Sequence, residues 1–365
     1  MKKIFSDIDK PLFVVTMVLF IGGLLILASA SMVLATKNGG TPIFYVWRQL
    51  AIGGGVGLVG FIFCLIFPYR YWKRLALPLM LLSFILLALL FIPKLSYTAG
   101  GARRWLTWGS FSFQPSEFLK LAFIVYLASW LDARRKEIGS VAYGMIPFAL
   151  MLAIVGMFLV MQPDIGTLGV VIGTAVMLYF LGGGPAAQIG TLIALGGVVL
   201  FFLIQIAPYR LNRVLVFWNP GTDPQGIGYQ ITQALIAIGS GGFWGEGFGR
   251  GIQKFNFLPE PMGDSIFAVF LEEMGFFGAL FLIGIFIFFL WRVFFVAKRA
   301  PDTFGKLLAS GIGIGIVIQA FINMAAISGL MPLTGIPLPF ISYGGTSLAM
   351  ALASVGIILN ISKQI

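Results

Sequence analysis

"MKKIFSDIDKPLFVVTMVLFIGGLLILASAS" (residues 1–31) begins with scattered charges and then turns apolar at Pro11, with no further charge until Lys37. Such a run is long enough to cross a hydrocarbon core about 30 Å thick, which takes roughly 20 residues in a helix. It is too long for the apolar core of a signal peptide, and no soluble domain follows it. Comparable runs recur to the end of the 365-residue chain, so the composition is 59% hydrophobic and only 10% charged. A soluble domain carries about 25% charge. The mean hydropathy of +0.99 agrees. The fold expected is therefore an all-α polytopic membrane protein, a single integral domain over residues 1–365.

Ten spans are read at 12–35, 44–67, 75–93, 117–131, 141–161, 167–182, 186–207, 265–291, 304–330 and 345–362, the fourth and sixth being short. One set of connections holds Lys2, Lys3 and Lys10, "PYRYWKR" (68–74), "ARRKE" (133–137), "WRVFFVAKRAPDTFGK" (291–306) and Lys363. An excess of Lys and Arg marks the cytoplasmic side, so both termini are expected there, as an even number of spans requires. The net charge of +11 points to anionic lipid as neighbour or substrate. Nucleic acid is not expected, because the basic residues are dispersed between spans rather than gathered into a patch. Histidine is absent and Cys64 is the single cysteine, which excludes an internal disulfide and leaves Asp, Glu, Lys or Tyr for proton transfer.

The other side receives long loops at about 94–116 and 208–264, and two Pro-rich turns, "MQPDIGT" (161–167) and "PLTGIPLPFISYGG" (332–345). Charge there is not a topology signal, and it sits beside irregular backbone, which membranes tolerate only where it is buried in protein or lines a wet cavity. A site on the outer face follows. In "GGARRWLTWGSFSFQPSEFLK" (100–120), Arg103 and Arg104 follow flexible glycines and precede two tryptophans. They suit bidentate phosphate binding or an interfacial Arg/Trp belt. Glu117 and Lys120 are three apart at a helix start and can pair. Asp164, between Pro163 and Gly166, either caps the next helix or faces the cavity.

The loop at 208–264 is rich in Gly, Pro and aromatics, so it is read as a structured, groove-lining element rather than as disorder. Within it "GYQITQALIAIGSGG" (228–242) reads as a short helix with Gln230 and Gln233 on one face. It ends at "LPEPMGD", placing Asp264 at the head of the eighth span, as a helix cap or as a general base. If the helix began there, Glu272 would lie about 80° round and about 12 Å deeper, with Glu273 opposite. One of these glutamates is expected to meet a basic partner inside the bundle.

The blocks "GARRW", "FQPSEFLKLAFIVYLA", "MQPDIGT", "DPQGIGYQITQALIAIGSGGFWGEGFGRG", "QKFNFLPEPMGDSIFAVFLEEMGFFG" and "GLMPLTGIPLPFISYGGTS" occur in this order. Together they resemble the SEDS family (shape, elongation, division and sporulation) from about residue 9 to 361, and "PYRYWKRLALP", "GARRW" and "DPQGIGYQ" are more similar to its division branch, FtsW, than to its elongation branch, RodA. The resemblance implies a peptidoglycan glycosyltransferase of the bacterial cytoplasmic membrane that polymerises lipid II at the outer face, and so a hexosyltransferase using an undecaprenyl-diphosphate-linked disaccharide-pentapeptide. It implies as partners a class B penicillin-binding protein and divisome or elongasome proteins. The family's essential acid falls on Asp264, although Met262 and Gly263 stand where its usual block has His-Thr.

On this reading Asp264 takes the proton from the acceptor sugar's 4-hydroxyl, and undecaprenyl pyrophosphate leaves with inversion. Arg103, Arg104, Lys120, Arg210 and Lys254, with Gln230, Gln233 and Ser240, form the expected substrate and pyrophosphate set. Glu117, Asp164, Glu260, Glu272 and Ser342 are expected to support it. A divalent cation, Mg or Mn, would suit the same chemistry. The competing readings are a lipid II flippase, which would need polar groups along its whole path, and a non-catalytic scaffold for a transpeptidase.

Overall fold

The computed structural model describes residues 7–37, 39–99, 102–109 and 111–365. Lys2 and Lys3 of the expected basic end, and Gly100 and Gly101 ahead of Arg103, lie outside them. The helices are α1 (Lys10–Lys37), α2 (Phe44–Ile66), α3 (Arg70–Leu89), α4 (Pro115–Ala133), α5 (Val141–Met161), α6 (Ile165–Leu181), α7 (Ala186–Ile206), α8 (Pro208–Trp218), α9 (Ile227–Ser240), α10 (Ile266–Arg299), α11 (Thr303–Ile327) and α12 (Gly345–Ser362). Every segment read as a span is helical. Eight are long and apolar enough to cross a membrane by length and composition: α1, α2, α3, α5, α7, α10, α11 and α12. Of the other two, α6 has 17 residues, and α4 carries Glu117, Lys120 and Asp132 within its 19.

α11 and α12 form the centre of the bundle and α7 its edge, since 83%, 78% and 0% of their apolar windows are buried. Small residues make the central packing possible, because between helices in lipid it is close van der Waals contact that holds them together. At Gly313 of α11 a side chain would place its first carbon 2.6 Å from Val293 Cγ1 of α10, so only glycine fits.

The start of α1 and the end of α12 lie at the same end of the bundle. The Asp9 amide donates to Ser362 Oγ at 3.0 Å, and Arg292 grips the Asp9 carboxylate at 2.8 and 2.7 Å. Arg70 and Tyr69 meet Asp302 at this end, and Lys73 meets Asp132. The segment from α8 to Ser265 occupies the opposite end.

Two features differ from an all-helical reading. The 94–116 loop holds a three-stranded antiparallel sheet of β1 (Ser96–Ala99), β2 (Ala102–Trp108) and β3 (Phe111–Phe113), in the order β1-β2-β3. The alternating aromatic and β-branched residues of "SYTA", "ARRWLTW" and "FSF" suit such ribbons. In addition, the 208–264 segment is more ordered than one short helix, with α8 preceding the expected α9.

The backbone of α10 breaks at Gly275, whose φ of 64° and ψ of −164° belong to no helix. The break frees carbonyls and amides, and the glycine-rich loop after α9 takes them up. The amides of Glu246 and Gly247 donate to the carbonyls of Glu272 and Glu273, each at 3.0 Å. The amides of Phe276 and Phe277 donate in turn to the carbonyls of Gly242 and Phe243, at 2.9 and 3.2 Å.

The two glutamates just above the break fasten the rest of the loop. Glu272 accepts from the amides of Ile252 and Gln253 at 2.7 and 3.1 Å. Glu273 pairs with Lys254 Nζ at 2.6 Å, and Ser29 of α1 bonds to both partners. The expected basic partner inside the bundle is therefore Lys254, and the glutamate that meets it is Glu273. α10 starts at Ile266 rather than at Asp264, so the angular count from Asp264 does not apply. The glutamates still face different neighbours, since consecutive helical residues point about 100° apart.

Overpacking the α10–α11 contact should destabilise the protein. Gly313→Leu is expected to cost about 1–3 kcal/mol and to lower the unfolding temperature in detergent. Gly190→Ala on α7, where a side chain would meet nothing within 4 Å, should leave that temperature unchanged or raise it slightly.

Candidate functional site

The turn Leu333–Ile336, between α11 and α12, collects residues from four separate elements. From α8, Arg213 Nη1 donates to the carbonyls of Leu333 and Thr334 at 3.0 and 3.5 Å. From α6, Gly166 lies so close that a side chain there would stand 2.9 Å from the Thr334 carbonyl oxygen. From α11, Asn323 Nδ2 donates to the Ile336 carbonyl at 2.8 Å. From the approach to α10 comes Asp264, whose Oδ2 is 3.8 Å from where a side chain on Gly335 would begin.

Asp264 is held through its backbone. Three successive carbonyls are bonded by buried or half-buried groups: Met262 by the Tyr343 amide at 2.8 Å, Gly263 by Ser342 Oγ at 2.7 Å and Asp264 by Asn323 Nδ2 at 2.8 Å. Ser342 Oγ also accepts from the Leu338 amide, so it ties both segments together. On the side chain, Gln230 Nε2 of α9 donates to Oδ1 at 3.1 Å and to Ser265 Oγ at 3.0 Å. Oδ2 takes no hydrogen bond from the described residues. Burial raises the Asp264 carboxyl to about 6, and the nearby Glu260 charge pushes in the same direction, while the Gln230 bond opposes it.

Arg104 and Asp164 complete this neighbourhood. The register of β1 against β2 steps from Tyr97↔Trp105 to Thr98↔Arg103, which leaves Arg104 as the extra residue of a bulge. Bulges re-aim a side chain, and here Nη2 of Arg104 donates to the Pro163 carbonyl in the α5–α6 turn. The next residue, Asp164, caps α6 through Oδ1 to the Thr167 amide at 3.3 Å. Its Oδ2 is buried without a partner among the described residues, as is Nε of Arg104. Of the two roles left open for it, Asp164 thus takes the helix cap. Arg213 feels all of these groups. Burial holds its guanidinium below the usual range and Arg104 lowers it further, while Tyr209, Asp264 and Asp164 oppose the shift.

Several expected site residues lie elsewhere. Lys254 is 1% exposed and paired with Glu273 and Ser29, so burial withholds it from a substrate. Arg210 is buried and turned away, donating to Tyr209 Oη at 2.8 Å and to the carbonyls of Leu203 and Val160 at 2.8 and 3.3 Å. Ser240 is exposed at the far end of α9 and donates to Ala237 of its own helix. Arg103 is exposed on β2, apart from the Arg104 contact. Glu272 serves the loop backbone and not the site. Gln233 is half-buried one turn beyond Gln230, and Glu260 is exposed beside Asp264.

Lys120 bonds Glu117 at 2.8 Å and also Gln319 of α11. These three line a narrow cleft between α4, α6, α11 and α12, walled by Phe123, Ile124, Val171 and Met350. Gln319 and Asn323, one turn apart on α11, anchor the same 333–343 segment through Pro337 and Ile336. Arg213 and Asn323 are the site residues that sequence reasoning did not select. Arg213 had a signal, as a charge on the loop side, but its direction was not legible.

Among the described residues no three Asp, Glu or Cys side chains gather to hold a metal.

The chain matches the profile of a family described as Cell cycle protein, comprising FtsW, RodA and SpoVE, over residues 9–365. It is 40% identical to stage V sporulation protein E of Bacillus subtilis, over 97% of each chain. It is 41% identical to a probable peptidoglycan glycosyltransferase FtsW of Trichlorobacter lovleyi, over 98% of this chain and 93% of that one. Among solved structures, it resembles a chain of a peptidoglycan synthase complex that coordinates polymerization and crosslinking, with a TM-score of 0.81 and 28% identity over 99% of both. The rod shape determining protein RodA of Thermus thermophilus is similar at a TM-score of 0.72 and 28% identity, over 99% of this chain and 98% of that one. From the order of its motifs, its bundle of apolar helices and these full-length similarities, the chain belongs to the FtsW/RodA/SpoVE family of polytopic membrane proteins.

Proposed function

We propose that this protein is a peptidoglycan glycosyltransferase that polymerises lipid II at the outer face of the bacterial cytoplasmic membrane, in septal wall synthesis, with Asp264 as general base. One observation carries the reading: Asp264 presents an Oδ2 that takes no hydrogen bond among the described residues, from a backbone fixed at three consecutive carbonyls. A base must be held in place and must be ionised near the working pH. A carboxyl raised to about 6 is ionised at neutral pH yet basic enough to take a proton in flight.

In the reaction, Asp264 accepts the proton of the acceptor's 4-hydroxyl as that oxygen bonds to the donor's anomeric carbon. The bond from that carbon to the pyrophosphate oxygen breaks, and its electron pair leaves on undecaprenyl pyrophosphate. The leaving group is already a stable anion, so no second acid is needed. Positive charge placed where it forms lowers the barrier, and Arg213, whose guanidinium feels both Asp264 and Arg104, is the group suited to supply it. A divalent ion would add the same kind of charge. The chain gathers no carboxylate cage for one among the described residues, so no step is assigned to it. A class B penicillin-binding protein is the partner this reading requires, to crosslink the strands.

Asp264→Asn keeps the Gln230 contact and removes the base. Polymerisation of purified lipid II by the reconstituted protein should fall by about 100-fold or more. Normal glycan formation by this variant would refute the assignment.

The pH dependence tests the same group. Its folded value is raised, so activity should be full above about pH 7 and fall as pH drops through about 6. Glu260→Gln removes a negative charge that raises Asp264, and should move this acid limb to lower pH. A limb that stays in place in kcat/KM profiles would show that another group titrates.

A further inference from the structure

We infer that Gln49 of α2 is a positioning residue for the reaction. It acts through the Ser342–Gly344 backbone, which in turn holds the segment that carries Asp264. This role rests on the glycosyltransferase reading, since polymerisation is what reports it.

Gln49 is buried where α2 meets the start of α12. Its Nε2 donates to the Ser342 carbonyl at 3.3 Å, and its Oε1 accepts from the Gly344 amide at 3.1 Å. One side-chain amide thus spans Tyr343, using an acceptor before it and a donor after it. On their other side the same residues reach the approach to α10: Ser342 Oγ donates to the Gly263 carbonyl at 2.7 Å, and the Tyr343 amide to the Met262 carbonyl at 2.8 Å. The chain between α11 and α12 is irregular and has no ladder of its own, with Phe340 at a φ of 67°. Its position is therefore set by such side-chain ties. Without Gln49, a buried carbonyl and a buried amide lose their partners, which is costly. The segment would move to satisfy them, and the Met262 and Gly263 carbonyls would move with it.

The backbone of α2 is shaped to deliver this side chain. Residues Gln49–Gly54 form a π-turn within the helix. In a regular helix Gln49 would stand about 80° round from Gly57. A π-turn takes in an extra residue and removes most of that offset, so Gln49 and Gly57 both face α12. The glycines bring the two backbones together there. A side chain at Gly53 would begin 3.0 Å from Gly345 Cα, and one at Gly57 would begin 3.0 Å from Ala349 Cα.

The opposite end of the same helix pair supplies a natural comparison. Asn360 of α12 makes an equivalent tie, with Nδ2 donating to the Leu65 carbonyl and Oδ1 accepting from the Tyr69 amide, each at 2.8 Å. That tie joins helix ends far from Asp264. If Gln49 served packing alone, the two amides would matter to the protein in the same way.

The test measures polymerisation of purified lipid II by the full-length protein reconstituted in liposomes, with kcat and KM resolved. Gln49→Met keeps the length of the side chain and drops both contacts. It should lower kcat by about tenfold to 100-fold, as small misplacements of a reacting group do, and leave KM unchanged. Gln49→Asn is too short to span Tyr343 but remains polar, so it carries the same expectation and serves if Gln49→Met does not fold. Asn360→Leu should lower the unfolding temperature and leave kcat unchanged. Ser342→Ala should also lower kcat, and combining it with Gln49→Met should cost no more than the larger single loss, because both act through one link. Parental kcat in both folded Gln49 variants overturns the role, as does an equal loss of kcat in Asn360→Leu, or losses that multiply in the double variant. Inactive Asp264→Asn beside fully active Gln49→Met defeats the positioning alone. Active Asp264→Asn defeats the base and its positioning together, so the two failures are distinguishable.

Discussion

A backbone break inside a membrane helix leaves polar groups that hydrocarbon cannot solvate, and the site of this protein is built around one such break. At Gly275 the ladder of α10 is interrupted, and the loop that follows α9 supplies the missing donors and acceptors on both sides. That closure fixes where the loop runs. From there Glu272 clasps two loop amides and Glu273 clasps Lys254, so the chain climbs from Gly241 to Asp264 along a path set by α10 itself. A glycine-rich segment would otherwise sample many conformations, each entropically favoured over order.

The Lys254–Glu273 pair carries a large desolvation penalty, and an apolar replacement of similar shape could be equally stable. Its value lies in direction. Ser29 joins both charges, so α1, α10 and the loop share one buried junction. The same logic recurs at the other side of the loop, where Ser342, Asn323 and the Tyr343 amide hold three consecutive carbonyls ahead of α10. Asp264 is thereby left with one oxygen supported by Gln230 and Ser265 and one without a hydrogen bond among the described residues. Its raised acidity range follows from that burial, with Glu260 adding to it.

Much of this was legible in the residues. Every segment read as a span is a helix, because apolar runs of this length have no other stable form in lipid. Glu117 and Lys120 pair as their three-residue spacing requires, Gln230 faces inward from a helix whose limits were closely anticipated, and Asp264 stands apart from the two deeper glutamates. Charge was less informative where it was plentiful. Arg210 and Arg213 are three residues apart on α8, yet one is spent on the carbonyls of Leu203 and Val160 and the other reaches Asp264's neighbourhood. Nothing in the spacing separates them, because two of the carbonyls that decide it, Val160 and Leu333, lie 50 and 120 residues away.

The sequence by itself determined the helices, their number of apolar runs and the placing of acids and arginines at one end of the bundle, since periodicity, length and hydropathy act locally. Tertiary structure alone decided which charges remain available. Lys254, a credible phosphate ligand in the chain, is buried against Glu273, while Arg104 is turned by a β-bulge onto the Pro163 carbonyl. The physical reason is that a charge near lipid must find a partner, and partners are chosen by proximity in space, which no local pattern encodes.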